Sequence, residues 1–241
     1  MRRRQFLSHL LGGLAATGAG SLAAWPQVGE EQKLRLRYRL SERGVALGEA
    51  TINYQISDGG YRVESHAIPT GKVARLFSGE LKETSVGDWN NGGPEPLSYT
   101  FLRSGPKPRD RLYEFDYNVG QVATVGLEPI PIEVGVQDDV SHILALSLAL
   151  QSGSAAAEFR VLRGSKARLY DYRFEVGATE SLQLAGREWS TQRVSRTTSR
   201  KKYDLTLWCA AELGFLPVRQ VRIQRKNERR SELELIGWER G

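Results

Sequence analysis

Cysteine occurs once in the 241 residues, at Cys209, so no disulfide can staple the chain to itself and its stability has to come from packing. Histidine is almost as scarce, at His9, His66 and His142. Zinc sites draw about four ligands, mainly from those two residue types, so neither a metal nor another cofactor is expected. No Gly-x-Ser-x-Gly elbow is present to expose a serine nucleophile, and no nucleotide motif or internal repeat is evident. Trp89, Trp189, Trp208 and Trp238 are scattered along the sequence and suggest no stacking platform for bases or sugars. Cys209 follows Trp208 in an alternating apolar run and reads as a buried thiol, not a nucleophile.

Long apolar runs are missing too. The run from Leu10 to Ala24 is diluted by glycine and is shorter than the roughly 20 residues that cross a hydrocarbon layer. It follows Arg2, Arg3 and Arg4, contains no acid and ends in small residues, the parts of a signal peptide. Arg3-Arg4-Gln5-Phe6-Leu7 also fits the core of a twin-arginine signal. The expectation is a leader over residues 1–24, cleaved near Ala23 or Ala24, a single β-rich domain over 25–241, and a periplasmic protein with no transmembrane segment after cleavage. The three leader arginines supply half of the formal net charge of +6. What remains is mildly basic, compatible with peripheral contact with the envelope but not with the concentrated charge of a nucleic-acid binder.

What the sequence does have is alternation. Leu34, Leu36, Tyr38 and Leu40 alternate with Arg35, Arg37 and Arg39; Ile52, Tyr54 and Ile56 follow after a turn at Ser41–Gly44. A period of two marks half-buried strands. Asp58-Gly59-Gly60 turns the chain into a return strand through Tyr61 and Val63. Further strands are expected at Leu97–Phe101, Leu112–Tyr117, Gln121–Val125, Tyr170–Val176, Leu205–Cys209, Leu216–Ile223 and Glu232–Trp238, with long hairpin loops at Asn90–Pro94 and Ser104–Arg109. Such spacing predicts a mainly β fold, an antiparallel, strongly curved sheet or partly open barrel.

One segment breaks the period. Asp138 to Gln151 is rich in Ala and Leu, opens with acids and ends before Ser152-Gly153, which predicts one main buried helix, with a shorter helical turn around Gly71–Phe77. Ile143, Leu146 and Leu150 would make it a lid or plug over an apolar ligand. Asp138, Ser141 and His142 form the most enzyme-like group, but neighbours on a helix point about 100° apart, and Asp138 three residues before Ser141 suits capping better than catalysis. Basic residues gather at Arg200–Lys202 and at Arg219, Arg222, Arg225, Lys226, Arg229 and Arg230, around a hairpin tip near Asn227.

Four motifs in order resemble those of the exported bacterial family catalogued as domain of unknown function 3108. They are Tyr38 with Val45-Ala46-Leu47-Gly48-Glu49-Ala50, Gly60-Tyr61-Arg62-Val63, Gln137-Asp138-Asp139-Val140-Ser141, and Trp208 followed by Leu216-Pro217-Val218-Arg219. The resemblance implies a periplasmic antiparallel β protein and supplies no catalytic residues; by analogy of shape it suggests the lipoprotein carriers of the envelope. The functional expectation is therefore a non-enzymatic binding or carrier protein for an apolar or lipid-like ligand. Two alternatives stand beside it: an envelope hydrolase or modifying enzyme using Asp138, Ser141 and His142, and an assembly partner of an envelope polymer using the basic patch.

Overall fold

The computed structural model describes residues 31–57, 59–70, 79–90, 93–105, 108–163, 167–198 and 202–241. The expected leader, the turn around Gly71–Phe77, and Arg200 and Lys201 lie outside them. The chain begins with a meander of β1 (Gln32–Glu42), β2 (Val45–Ser57), β3 (Gly60–Pro69), β4 (Leu81–Asn90), β5 (Gly93–Arg103), β6 (Arg109–Asp116), β7 (Gln121–Thr124) and the two-residue β8 (Ile130–Pro131). Helix α1 (Ser141–Gln151) follows. A second meander contains β9 (Ala156–Arg163), β10 (Arg168–Leu184), β11 (Arg187–Thr198), β12 (Tyr203–Ala210), β13 (Leu216–Gln224) and β14 (Arg229–Arg240).

All fourteen strands form one sheet, in the order β8-β7-β6-β5-β4-β3-β2-β1-β14-β13-β12-β11-β10-β9. Each neighbouring pair is antiparallel, and the first and last strands pair with each other, Leu36 opposite Trp238. Tight hairpins follow where the sequence accepts positive φ: Arg43 and Gly44 at 48° and 78°, Ala185 and Gly186 at 51° and 76°, the type I′ pattern that matches strand twist. Register shifts in the β1–β2, β1–β14, β4–β5, β10–β11 and β12–β13 pairs add local twist and bend the sheet. It curls but does not close into a barrel. At the seam between β8 and β9 the segment after β8 crosses the gap, and Gln137 makes a parallel bridge to Val161.

Helix α1 packs against β5, β9 and β13, strands far apart in the sheet order, so the sheet wraps around it. Leu144 and Leu146 are 0% and 1% exposed and Leu150 6%. Leu144 belongs to a large core with Leu36, Tyr54 and Trp189; Leu146 and Leu150 belong to a second with Phe174, Val194 and Leu207; Ile143 packs against both. At about 1.5–3 kcal/mol for each buried aliphatic side chain, these residues make α1 part of the core. They do not form a lid that faces a ligand.

Several expectations need correction. The helix begins at Ser141, not Asp138, and has no acid in its first turn, because Asp138 is used to turn the chain into the helix. The loop at Asn90–Pro94 is not long: Asn90 pairs with Gly93. The tryptophans are not all scattered, since Trp189 and Trp238 meet edge to face at 5.0 Å with the Arg187 guanidinium 4.1 Å from the Trp189 ring. The two rings lie on β11 and β14, which two strands separate in the sheet order, so it is the curl of the sheet that brings them together. Among the described residues, no helix is long and apolar enough to cross a membrane.

Candidate functional site

The seam segment carries the expected enzyme-like residues. Gln137 is stitched to β9 by its own N–H donating to the Arg160 carbonyl and its carbonyl accepting from Leu162 N–H, both at 2.8 Å. Its side-chain amide donates to the Pro94 carbonyl at 2.9 Å, which fixes where the next residues point. Asp138 is fully buried. Its Oδ1 accepts the N–H groups of Val140 and Ser141, each at 2.8 Å, and its Oδ2 accepts the Ser85 hydroxyl. In return Ser141 Oγ accepts the Asp138 N–H at 2.9 Å. This reciprocal arrangement satisfies donors that the start of a helix leaves free.

His142 does not complete a triad. Its Nδ1–H donates to the Asp138 backbone carbonyl at 3.1 Å, and its ring lies between Tyr172 and Phe174, with centroids at 5.5 and 6.1 Å. Burial, assisted by the Arg196 charge, pushes its pKa down to about 3, so the imidazole stays neutral. A catalytic triad needs base and nucleophile in contact and a third group orienting the base. Here Ser141 and His142 each bond the backbone of Asp138, and among the described residues no side chain converges on His142 to orient it. The arrangement is a helix start.

Asp139 turns the other way, to the mouth of the curled sheet. Its carboxylate lies 2.9 Å from Arg163 Nε, with its side chain 18% exposed. Arg163 in turn donates to the Tyr172 hydroxyl, and Arg196 stacks on the Tyr172 ring at 4.2 Å. Across the mouth, the Tyr99 hydroxyl donates to Glu83 Oε1 at 2.6 Å, and the Tyr99 and Tyr113 rings stack at 5.7 Å. Between them is a cavity of about 180 Å³. Three cations, Arg109, Arg111 and Arg163, and three rings, Tyr99, Phe101 and Tyr113, line it around the single acid Asp139. The Nε atoms of Arg111 and Arg196 are buried and meet no acceptor among the described residues.

The electrostatics of the mouth follow from burial. Removal from water raises the pKa of Asp139 to about 7 against the pull of Arg163, and the nearby Glu83 and Asp138 carboxylates add to the rise. Glu83 is also raised, first by burial. Guanidinium groups keep their charge, so the cations outweigh the acids. The folded chain holds a proton on Asp139 up to about pH 7, whereas an ordinary carboxylate loses it near 3.8. Folded protein therefore binds more protons in that window, and this group's effect is to lower stability as pH rises from about 4 to 7. His142 acts with the opposite sign: it is neutral when folded but protonates at about 6.5 when unfolded, so stability falls as the pH drops below that value. Subtracting the Asp139→Asn variant isolates the first effect: the wild type should lose denaturant midpoint relative to the variant between pH 5 and pH 8. A pH-independent difference would contradict the assignment.

The remaining sequence candidates are accounted for individually. Arg219 pairs with Glu232 at 2.9 Å and Glu234 at 3.3 Å and stacks on Trp208. Arg225 pairs with Asp204, Arg229 with Glu42 and Arg230 with Glu232, while Arg222 lies over the Tyr203 ring at 5.1 Å. Lys226 sits at the tip between β13 and β14. This surface is a lattice of ion pairs and not a uniformly positive patch. Ile143, Leu146 and Leu150 lie in the core. Sequence reading missed Glu83, Tyr99, Phe101, Arg109, Arg111, Tyr113 and Arg163 as site residues. One signal marks two of them: Arg109 and Arg111 fall in the same alternation phase as the buried Tyr113 and Phe115, so they face inward where the strand reaches the mouth.

A family model described as "Protein of unknown function (DUF3108)" matches residues 35–234. No curated protein matches the sequence. Among solved structures, the chain is similar to a β-barrel-like protein of the domain of unknown function DUF1849 from Brucella abortus, with a TM-score of 0.60 and 9% identity over 87% of this chain and 98% of that one. A DUF1329 family protein from Desulfovibrio piger aligns at 10% identity over 87% of this chain and 83% of that one, with a TM-score of 0.23. At such identities the first similarity speaks for the fold alone.

Proposed function

Since the chain belongs to the DUF3108 family, whose function is unknown, we propose its role from its own geometry: it is a non-enzymatic binding protein for an amphiphile, which it takes at the mouth of the curled sheet. The observation that carries this is the cavity in which three rings and three arginines face each other. Ligand sites ordinarily set placed polar groups among aromatic walls, and here four charged side chains meet three rings. Its volume of about 180 Å³ is below the ~300–1,000 Å³ of sites that enclose drug-sized ligands, so it suits one end of a molecule. Strand β7 ends at Thr124 opposite Tyr113. Just beyond are Val125 and Leu127, 88% and 43% exposed, an apolar lip for the rest of the ligand.

Native mass spectrometry with added dodecanoate tests the reading. The expected result is a one-to-one adduct whose affinity falls about tenfold in Phe101→Ala, the loss of about 1.4 kcal/mol of contact. No adduct with dodecanoate or its alcohol, or an adduct indifferent to Phe101→Ala, would overturn it. We propose further that the protein acts in the periplasm after cleavage near Ala23 or Ala24. N-terminal sequencing of the protein from a periplasmic fraction should begin at Ala24 or Trp25; recovery of the uncleaved chain from the cytoplasm alone would contradict this.

A further inference from the structure

We propose that the mouth cavity takes the anionic head group, a carboxylate or a phosphate, of the amphiphile, and that this anion takes Arg163 from Asp139, which then accepts a proton from solvent. The inference rests on the amphiphile reading and deepens it. Its first support is an imbalance: Arg109, Arg111 and Arg163 line the cavity against one carboxylate. Its second is an unmet donor, since the buried Arg111 Nε finds no acceptor among the described residues. A buried guanidinium donor without an acceptor is costly, and planar forks of this kind match carboxylate and phosphate oxygens. Phe101 lies directly opposite Arg111 in the β5–β6 register, so an apolar segment next to the head group would lie against a ring.

Exchange at Arg163 follows from where its partner sits. Asp139 is its ion-pair partner at 2.9 Å, and both line the cavity. An anion that pairs with Arg163 leaves the Asp139 carboxylate facing the acids Glu83 on β4 and Asp138 on its own segment. Tyr99 of β5 and Tyr113 of β6 are neutral, their hydroxyls held in the protonated form by burial, as is the imidazole of His142 on α1. Arg109 and Arg111 on β6 and Arg163 on β9, which line the cavity, would be engaged by the ligand. Arg196 on β11, stacked on Tyr172 of β10, remains as the cation that acts on Asp139 from behind. A carboxylate left mainly among acids and neutral groups holds its proton more strongly. One proton moves from water to Asp139, and no other bond changes.

The test compares four probes by calorimetry at pH 8: dodecanoate, dodecyl phosphate, dodecanol, and inorganic phosphate alone. One or both charged amphiphiles should bind about thirtyfold tighter than dodecanol, as charge-assisted hydrogen bonds of about 2 kcal/mol imply. Arg163→Met and, should that variant not fold, Arg111→Met should narrow the gap to within about threefold. Repeating the titration in buffers of different ionisation enthalpy should show proton uptake in the wild type and none in Asp139→Asn. If dodecanol matches both charged amphiphiles, or if binding takes up no proton, the inference is wrong while the amphiphile reading stands. If inorganic phosphate binds as tightly as dodecyl phosphate, the site serves a free anion and the amphiphile reading fails. Binding of none of the four overturns both.

Discussion

Leu146→Asp should yield no folded protein, with denaturation already complete without denaturant by circular dichroism. Leu146 is 1% exposed and packs among Leu150, Phe174, Val194 and Leu207. Truncation alone, Leu146→Ala, should cost about 3–5 kcal/mol through lost burial and the cavity left behind. Aspartate adds an unpaired charge in the same space, for which the core offers no partner. A domain has about 5–15 kcal/mol in total, so the two together exceed what this chain can absorb. Were α1 a mobile lid over a hollow interior, the charged side chain would swing into water and the fold would survive. Survival of a cooperative unfolding transition in this variant would therefore overturn the account of α1 as core.

Asp138→Ala should be the next most damaging change, at about 3–5 kcal/mol. The substitution orphans the Val140 and Ser141 N–H groups, each left unsatisfied in the interior at about 1–3 kcal/mol, and leaves the Ser85 hydroxyl with the Tyr61 hydroxyl at 3.0 Å in place of the carboxylate; the cost is partly offset because a buried carboxyl no longer has to be held. Asp138→Asn keeps the Oδ1 acceptor and should cost about 1 kcal/mol. Urea midpoints at pH 7 separate the two. Equal effects of Ala and Asn would show that charge, not acceptor geometry, is what the position requires. The contrast bears on function, because an Asp–Ser–His grouping that acts in catalysis would lose activity in both variants without losing stability in proportion.

The strands most legible in the sequence were those whose inward residues are large and apolar. Leu34, Leu36 and Tyr38 of β1 and Tyr172, Phe174 and Val176 of β10 announce themselves by alternation. Strands β4 and β11 do not, since β4 turns Glu83, Ser85 and Gly87 inward and the buried anchors among the described side chains of β11 are Trp189, Thr191 and Val194. Those positions are inward because neighbouring strands carry them there, a tertiary effect that overrides local composition. The helix was visible for the opposite reason, as the one place where the period of two fails. Its start was misplaced by three residues because Asp138 caps from outside the helix through a turn, in a way that composition cannot distinguish from membership.

The candidate site was nearly invisible for the same physical reason. Asp139 and Arg163 are an ion pair across 24 positions of sequence, and Glu83 reaches Tyr99 only because β4 and β5 pair. Sequence reading drew attention to Asp138, Ser141 and His142, which are adjacent in the chain, while the geometry gives those three to the helix start. The basic cluster is a matter of composition alone, and acids answer most of it, from other strands for Arg219, Arg225 and Arg229 and from the same strand for Arg230. Arginines in the inward phase of β6 were the better signal, because a charge is placed there only at a rim that water or a ligand can reach.

Backbone amide NMR of the isotopically labelled protein titrated with dodecanoate separates binding at the mouth from binding among the core leucines. The account predicts that shifts concentrate at Tyr99, Phe101, Arg111, Tyr113, Asp139 and Arg163, with Leu144, Leu146 and Leu207 little changed. Large shifts at those three core leucines with a silent mouth would contradict it.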